Sequence, residues 1–136
     1  MLSNFCLHLY HCLFLHGNLM TQIVLYHNPR CSKSREALAL LEDMGIKPEL
    51  RLYLEKAPDR KELETVLTKL GIPARQLLRN SEEAYKSMNL ADTTLTDAEL
   101  ISAMIREPRL IQRPIAISGN RAVIGRPPAN ILELLV

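Results

Sequence analysis

The sequence predicts an α/β protein with a four-stranded mixed sheet and a helical insertion between the two halves of that sheet. Three observations lead to this prediction. The first part of the chain has the pattern strand, helix, strand; a middle region is helical; and two strand-like segments near the C-terminus flank a Gly119-Asn120 turn signal. With 136 residues, 47% of them hydrophobic, the chain is long enough for one such domain with its own core.

The first half of the sheet is assigned to residues 23–26 and 50–54. The first segment is apolar and bounded by turn residues, and the second alternates after a Lys47-Pro48 turn. Between them, residues 36–45 are rich in helix formers and end at a glycine suited to a helix C-cap. A strand–helix–strand unit of this kind implies parallel strands joined by a right-handed crossover.

Capping boxes mark the two main helices of the insertion. Asp59 with Glu62, and Thr96 with Glu99, have the spacing at which an N-cap side chain and an acidic side chain satisfy each other's backbone N–H groups. Residues 81–88 are weakly helical. The residues that end or begin the other helical segments are, in chain order, Gly71, Pro73 and Pro108.

The second half of the sheet is predicted to be a hairpin of residues 113–118 and 121–125. Pro127-Pro128 then opens a last helix over residues 129–135, because proline is tolerated in the first turn of a helix. A mixed four-stranded sheet with helices on its faces and a helical insertion between its halves is the plan of a thioredoxin-like fold.

Cys31 is the residue at which chemistry is expected. It lies between the first predicted strand and the following helix, at or beside the helix N-terminus, and its basic or imidazole neighbours are His27, Arg30, Lys33 and Arg35. A helix N-terminus and nearby cations both favour the thiolate, which is the nucleophilic form of cysteine. A free cysteine is more often an inert buried residue within an apolar segment. The polar surroundings of Cys31 instead favour an activated nucleophile.

Three arginines, Arg79, Arg113 and Arg126, each lie at a predicted element boundary. A single arginine on a loop is usually solvated. However, Arg113 begins the third strand and Arg126 follows the fourth, so antiparallel pairing places both at the same end of the sheet. Because arginine suits bidentate recognition of an oxyanion, the three residues predict an anion site that serves the thiolate.

Composition argues against several other classes of protein. The net charge of +2, the lack of a basic run and the 4% aromatic content give no support for a nucleic-acid partner. An odd cysteine count without regular spacing predicts no disulfide framework and indicates a reducing compartment, the cytoplasm; the cysteines are Cys6, Cys12 and Cys31.

Residues 1–19 differ from the rest because they contain no Asp, Glu, Lys or Arg. They are too short for a membrane span, and they lack the basic region and cleavage site of a signal peptide. Their cysteine and histidine spacings do not match the usual metal-ligand patterns, so no metal is expected. We therefore place residues 1–19 outside the fold and expect a single domain over residues 20–136, with no membrane association.

Four spaced motifs resemble those of the glutaredoxin-linked arsenate reductase family: Tyr26-His27-Asn28-Pro29-x-Cys31, Leu77-Leu78-Arg79, Ile111-x-Arg113-Pro114-Ile115 and Arg126-Pro127. The likeness runs from about residue 20 to the C-terminus and implies a thioredoxin-like fold with a helical insertion. The best-studied members have Gly-Thr-Ser after the cysteine and a C-terminal tail. Here Ser32-Lys33-Ser34 follows the cysteine and no tail follows Val136, which suggests a short, chromosomal-type branch.

The resemblance also implies roles for the matched residues. Cys31 corresponds to the nucleophile, and the residues that would hold arsenate and stabilise the arsenic intermediates are Arg79, Arg113 and Arg126. The supporting residues are His27 beside the active-site loop, Pro114 as a cis-proline, and Ser34. Cis X–Pro bonds are a minority form, so the expectation at Pro114 is specific.

The implied reaction begins with attack of the Cys31 thiolate on arsenate. Glutathione then attacks the adduct, glutaredoxin resolves the mixed species, and arsenite is released. Glutathione is thus a co-substrate and glutaredoxin a partner of a monomeric enzyme that needs no metal and no bound organic cofactor. Ser34 stands where thioredoxins have a second cysteine, so an external thiol must complete the reaction.

Two other functions remain open at the level of the sequence. A monothiol glutaredoxin-like oxidoreductase would act on glutathione mixed disulfides, but three boundary arginines are more than such a site requires. Spx-type regulators, which bind RNA polymerase, share the fold but are typified by a Cys-x-x-Cys switch, and Ser34 replaces the second cysteine here.

Overall fold

The architecture was obtained from a computed structural model that describes residues 22–135. The prediction that residues 1–19 lie outside the fold therefore concerns residues outside the described part of the chain.

A four-stranded mixed sheet forms the centre of the molecule, with the strand order β2-β1-β3-β4. Its strands are β1 (Val24–Tyr26), β2 (Glu49–Arg51), β3 (Ile115–Ser118) and β4 (Arg121–Ile124). β1 pairs in parallel with β2 and antiparallel with β3, and β3 pairs antiparallel with β4. The β3–β4 hairpin turns at Gly119, whose φ of 58° lies in the left-handed region that glycine adopts without steric cost. The mixed four-stranded sheet predicted from the sequence is confirmed.

The helices follow the predicted order. They are α1 (Ser32–Asp43), α2 (Arg60–Leu70), α3 (Ala74–Leu77), α4 (Glu83–Ser87) and α5 (Asp97–Arg106), with 3₁₀ helices at Pro108–Leu110 and Pro128–Leu135. Both predicted N-caps are present: Asp59 accepts the Glu62 N–H at 2.8 Å, and Thr96 accepts the Glu99 N–H at 3.2 Å.

Two apolar layers cover the two faces of the sheet. Because successive strand residues point to opposite faces, Tyr26 and Ile115 pack against α2, α3 and α5, whereas their neighbours Leu25 and Ala116 pack against α1 and the C-terminal 3₁₀ helix. The insertion therefore supplies the core of one face. Among the helices of the described residues, none is both long and apolar enough to cross a membrane.

Two local predictions were wrong. Residues 52–54 were expected to continue the second strand, but β2 ends at Arg51 and the chain turns, with the Leu52 carbonyl accepting the Glu55 and Lys56 N–H groups at 3.1 Å. The reason is that Arg51 pairs with Tyr26, the last residue of β1, so later residues find no strand to pair with.

The last helix is a 3₁₀ helix rather than an α-helix. Its first turn closes with the Asn130 N–H bonded to the Pro127 carbonyl, three residues back, at 3.0 Å.

Candidate active site

Cys31 is the N-cap residue of α1, as the sequence predicted. Its backbone is extended (φ −98°, ψ 123°), its carbonyl accepts the Arg35 N–H at 3.0 Å, and only 8% of the residue is exposed. The first N–H groups of a helix have no intrahelical partner, so they are available to a group at the N-cap. The thiol therefore lies where backbone donors and the helix dipole favour negative charge.

The pKa of the Cys31 thiol lies below that of an ordinary cysteine. Burial raises it, but the Ser34 N–H, the Arg113 guanidinium and the Lys33 N–H together lower it by more. The nearby cation that lowers this pKa is therefore Arg113, which is 82 positions away in sequence. His27, one of the flanking residues proposed to favour the thiolate, is buried, and burial and the Arg35 charge lower its pKa, so it contributes no positive charge at neutral pH.

We expect the thiolate of Cys31 to form at a pH below the value of about 8.5 that is typical of free cysteine. The physical reason is that Arg113 and two backbone N–H groups stabilise the anion. The pH dependence of thiolate absorbance, measured alongside the rate of iodoacetamide alkylation, tests this expectation. A midpoint at or above the free-cysteine value would contradict it.

The loop before Cys31 is held by a buried hydroxyl. Ser34 Oγ accepts the Asn28 N–H at 3.0 Å and lies 2.8 Å from Nδ1 of His27, and both Ser34 and His27 are buried. Since Oγ already accepts from Asn28, its own proton can be donated to Nδ1 of the neutral imidazole. In this geometry Ser34 and His27 hold in place the loop of residues 27–30, which leads into Cys31. Their role in supporting the reaction stays a prediction. Arg35 braces the same loop by donating to the Pro29 carbonyl at 2.9 Å.

Replacing Ser34 with alanine should destabilise the protein by about 1–3 kcal/mol, because it leaves the Asn28 N–H and the His27 ring nitrogen buried without their partner. Chemical denaturation of the variant measures this loss. Ser32→Ala, at an exposed position two residues away, is the matched control and should change stability little. Equal stability of the two variants would contradict the bracing role.

Arg113 has the least satisfied side chain of the site. Its Nε and Nη1 atoms are buried and, among the described residues, have no hydrogen-bond partner. Its backbone is held by its neighbours: the Arg126 Nε donates to the Arg113 carbonyl at 2.9 Å, and the Arg113–Pro114 peptide bond is cis, as expected. Buried guanidinium donors are normally paired, so these two donors indicate an anion as the missing partner.

Arg79 reaches the site through the insertion. A single antiparallel bridge joins Leu78 to Ile111, and the Arg79 N–H donates to the Leu110 carbonyl at 2.8 Å. This pairing places Arg79 beside the segment that leads to Arg113. Unlike Arg113, the guanidinium of Arg79 forms an ion pair with Glu82.

Arg79 and Arg113 line one cleft of about 660 Å³. The loop that leads into Cys31 forms another wall of this cleft, through Asn28, Pro29 and Arg30. Arg126 is exposed and contacts the site through its hydrogen bond to Arg113. The structure therefore joins two of the three predicted arginines in one cleft and places the third beside it.

The cleft is also lined by residues that sequence reasoning did not single out as part of a site, among them Tyr53, Glu55, Glu82 and Glu107. Glu82 could have been found, because it lies three residues after Arg79, a spacing at which opposite charges pair. Tyr53 carried no such signal, since the sequence assigned it to the second strand, and that strand ends two residues earlier, at Arg51.

The fold and the site together define a thioredoxin-like protein that has a cysteine at a helix N-terminus and, beside it, a cleft lined by arginines and glutamates. The chain belongs to the ArsC family, whose model matches residues 26–134.

Similar proteins agree with this assignment. An arsenate reductase of Haemophilus influenzae is 51% identical over 114 residues, which cover 83% of this chain and 98% of that protein. An arsenate reductase of Neisseria meningitidis is 42% identical, over 85% of this chain and 100% of that protein. The solved structure of the arsenate reductase from Vibrio cholerae superposes with a TM-score of 0.81 at 47% identity, covering 83% of this chain and 97% of that one. The family and the fold class expected from the sequence are confirmed.

Proposed function

We propose that this protein is an arsenate reductase that uses Cys31 as its nucleophile and takes its reducing equivalents from glutathione and glutaredoxin. The observation that carries the proposal is the pairing of Cys31, whose pKa is lowered by its neighbours, with Arg113, whose buried Nε and Nη1 atoms have no partner among the described residues. Relatives that are 42–51% identical and named arsenate reductases support the choice of oxyanion.

Arsenate would bind with its oxygens on Arg113 and Arg79. Arg113 neutralises negative charge next to the thiolate, so the anion and the thiolate can approach each other without strong repulsion. The Glu82 carboxylate already forms an ion pair with the Arg79 guanidinium. A bound anion must therefore displace this carboxylate or share the guanidinium with it. Arg113 is therefore the principal anion ligand in this proposal, with Arg79 second.

The chemistry starts with formation of an S–As bond by the Cys31 thiolate. One arsenate oxygen takes up protons and leaves as water, and arsenic remains As(V). Glutathione displaces a second oxygen as water. A glutaredoxin thiolate then attacks the glutathione sulfur, so the electron pair of the S–As bond to glutathione stays on arsenic, which becomes As(III). Water finally cleaves the remaining S–As bond and releases arsenite and the Cys31 thiol.

An external thiol belongs to the proposal because Ser34 occupies the position three residues after Cys31, where thioredoxins have their resolving cysteine. A free thiol nucleophile suits a reducing compartment, so we propose the cytoplasm as the location. We also propose that the protein acts as a monomer.

A coupled assay tests the proposal. NADPH oxidation is followed while arsenate is titrated in the presence of glutathione, glutathione reductase and glutaredoxin. The rate should saturate with arsenate and fall when glutaredoxin is omitted. Thioredoxin with thioredoxin reductase in place of glutaredoxin is the matched control for the reductant. Absence of activity at every arsenate concentration would refute the reductase function, and full activity with thioredoxin would refute the glutaredoxin dependence.

Two further measurements distinguish the other functions that were considered from the sequence. Reduction of a glutathione mixed disulfide without any response to arsenate would favour a glutaredoxin-like enzyme. Retention of RNA polymerase by the purified protein would favour an Spx-type regulator. The unpaired donors of Arg113 argue for an anionic substrate against both.

A further inference from the structure

Tyr53 lies in the turn that follows β2 and is fixed there. Its N–H donates to the Arg51 carbonyl at 3.0 Å, and only 1% of the residue is exposed. The ring stacks on that of Tyr26, with 6.2 Å between the centroids and 26° between the planes. The position of the phenol is therefore set by the core and does not depend on a ligand.

The hydroxyl of Tyr53 is buried and, within the described part of the chain, has no hydrogen-bond partner. Its stacking neighbour Tyr26 differs, because that hydroxyl donates to Glu62 at 2.5 Å. A buried hydroxyl without a partner costs free energy, and native structures retain few of them. Such a group at the edge of a cleft suggests that a ligand satisfies it.

The surroundings of the Tyr53 hydroxyl are those of the active site. Tyr53 lines the same cleft as Arg79 and Arg113. The charges that act on its hydroxyl are those of Arg113, Cys31, Glu82 and Arg126. Three unsatisfied donor atoms, the Tyr53 hydroxyl with Nε and Nη1 of Arg113, thus lie at one site next to the nucleophile.

We propose that the Tyr53 hydroxyl donates a hydrogen bond to the oxyanion held by Arg113, and that it is a substrate-binding residue of this site. The proposal rests on the function proposed above and adds a neutral donor to the arginines. A phenol hydroxyl donates a directional hydrogen bond and carries no charge, so it can hold one arsenic-bound oxygen in place while Cys31 attacks. Burial raises the pKa of Tyr53 to about 12, so the hydroxyl keeps its proton at neutral pH and can act as a donor.

Tyr53→Phe is the direct test, with Tyr26→Phe as the matched control. The first readout is protection of Cys31 from iodoacetamide by arsenate and by phosphate, which requires no turnover. For Tyr53→Phe we expect about ten- to a hundredfold weaker protection, the range for losing one hydrogen bond to a charged acceptor. We also expect a higher KM for arsenate. For Tyr26→Phe we expect protection like that of the unchanged protein.

In stability the two variants should differ in the opposite sense, with Tyr26→Phe the more affected. Tyr53→Phe should unfold at the same or a higher denaturant concentration, because its hydroxyl has no protein partner to lose. Tyr26→Phe should unfold earlier, because it loses the bond to Glu62. If Tyr53→Phe is also less stable, protection is compared with that of Tyr26→Phe at equal folded fraction, and equal protection then overturns the proposal.

Further outcomes would also overturn it. The first is unchanged protection with a raised Cys31 pKa in Tyr53→Phe, since the hydroxyl would then serve the thiolate and not the anion. The second is a lack of protection by any oxyanion in the unchanged protein. Arsenate reduction with an unaltered KM in Tyr53→Phe would refute the role of Tyr53 and leave the reductase function standing. Tyr53-dependent protection without any arsenate reduction would support the anion site and refute the reductase.

Discussion

Replacing Cys31 with serine should abolish arsenate reduction. Cys31 is the only cysteine between residues 22 and 135, and the groups around it lower its pKa, so it is the thiolate available for attack. A serine hydroxyl would need an adjacent base to act as a nucleophile at neutral pH. His27 is hydrogen-bonded to Ser34, so it is already committed to the loop. The coupled arsenate assay measures the loss.

The controls for this prediction are Cys6→Ser and Cys12→Ser, which should retain nearly full activity. A Cys31→Ser variant that still reduces arsenate would show that the nucleophile lies elsewhere. So would loss of activity in either control together with alkylation of a cysteine other than Cys31.

Replacing Arg113 with alanine should have the second largest effect, because two properties are lost together. Oxyanion binding should weaken by roughly 1.5–3 kcal/mol, about ten- to a hundredfold, as expected for one charge-assisted hydrogen bond to a buried anion. The Cys31 pKa should also rise, because the guanidinium that lowers it is removed. At neutral pH less thiolate remains, so kcat/KM falls further than binding alone requires, and part of the loss should be recovered at higher pH.

The fold should survive this change, since Nε and Nη1 of Arg113 make no hydrogen bond to the described protein that could be lost. Arg113→Lys should recover only part of the binding, because an ammonium cannot reproduce a bidentate fork. Arg106→Ala, at an exposed position at the end of α5, is the control and should leave KM and the thiol pKa unchanged. An Arg113→Ala variant with an unaltered thiol pKa and KM would contradict the assignment.

Arg79→Ala should cost less than Arg113→Ala. Its guanidinium is already paired with Glu82, so the anion gains less from it. The order of the two losses in KM distinguishes this arrangement from one in which the arginines contribute equally.

Most of the local structure was predictable from the sequence because it depends on neighbouring residues. The two capping boxes began helices where expected, Gly71 ended α2 with a φ of 68°, and the Gly119-Asn120 turn produced the hairpin. The strand before Cys31 and the helix after it placed this residue at a helix N-terminus for the same reason. These features need only backbone geometry and the nearest side chains.

The sequence by itself thus determined the order of the elements, the position of Cys31 at a helix N-terminus and the four motifs of the family. The tertiary structure decided which groups meet the thiol. The bridge between Leu78 and Ile111 places Arg79 beside the segment that leads to Arg113. Because β2 ends at Arg51, Tyr53 lies in the core beside the cleft and not in a strand. Neither event follows from local pattern, because each depends on where a distant strand begins or ends. The tertiary structure also decided two protonation states. Burial lowers the pKa of His27, so its imidazole is neutral, and Arg113, which is distant in sequence, helps to lower the pKa of the Cys31 thiol.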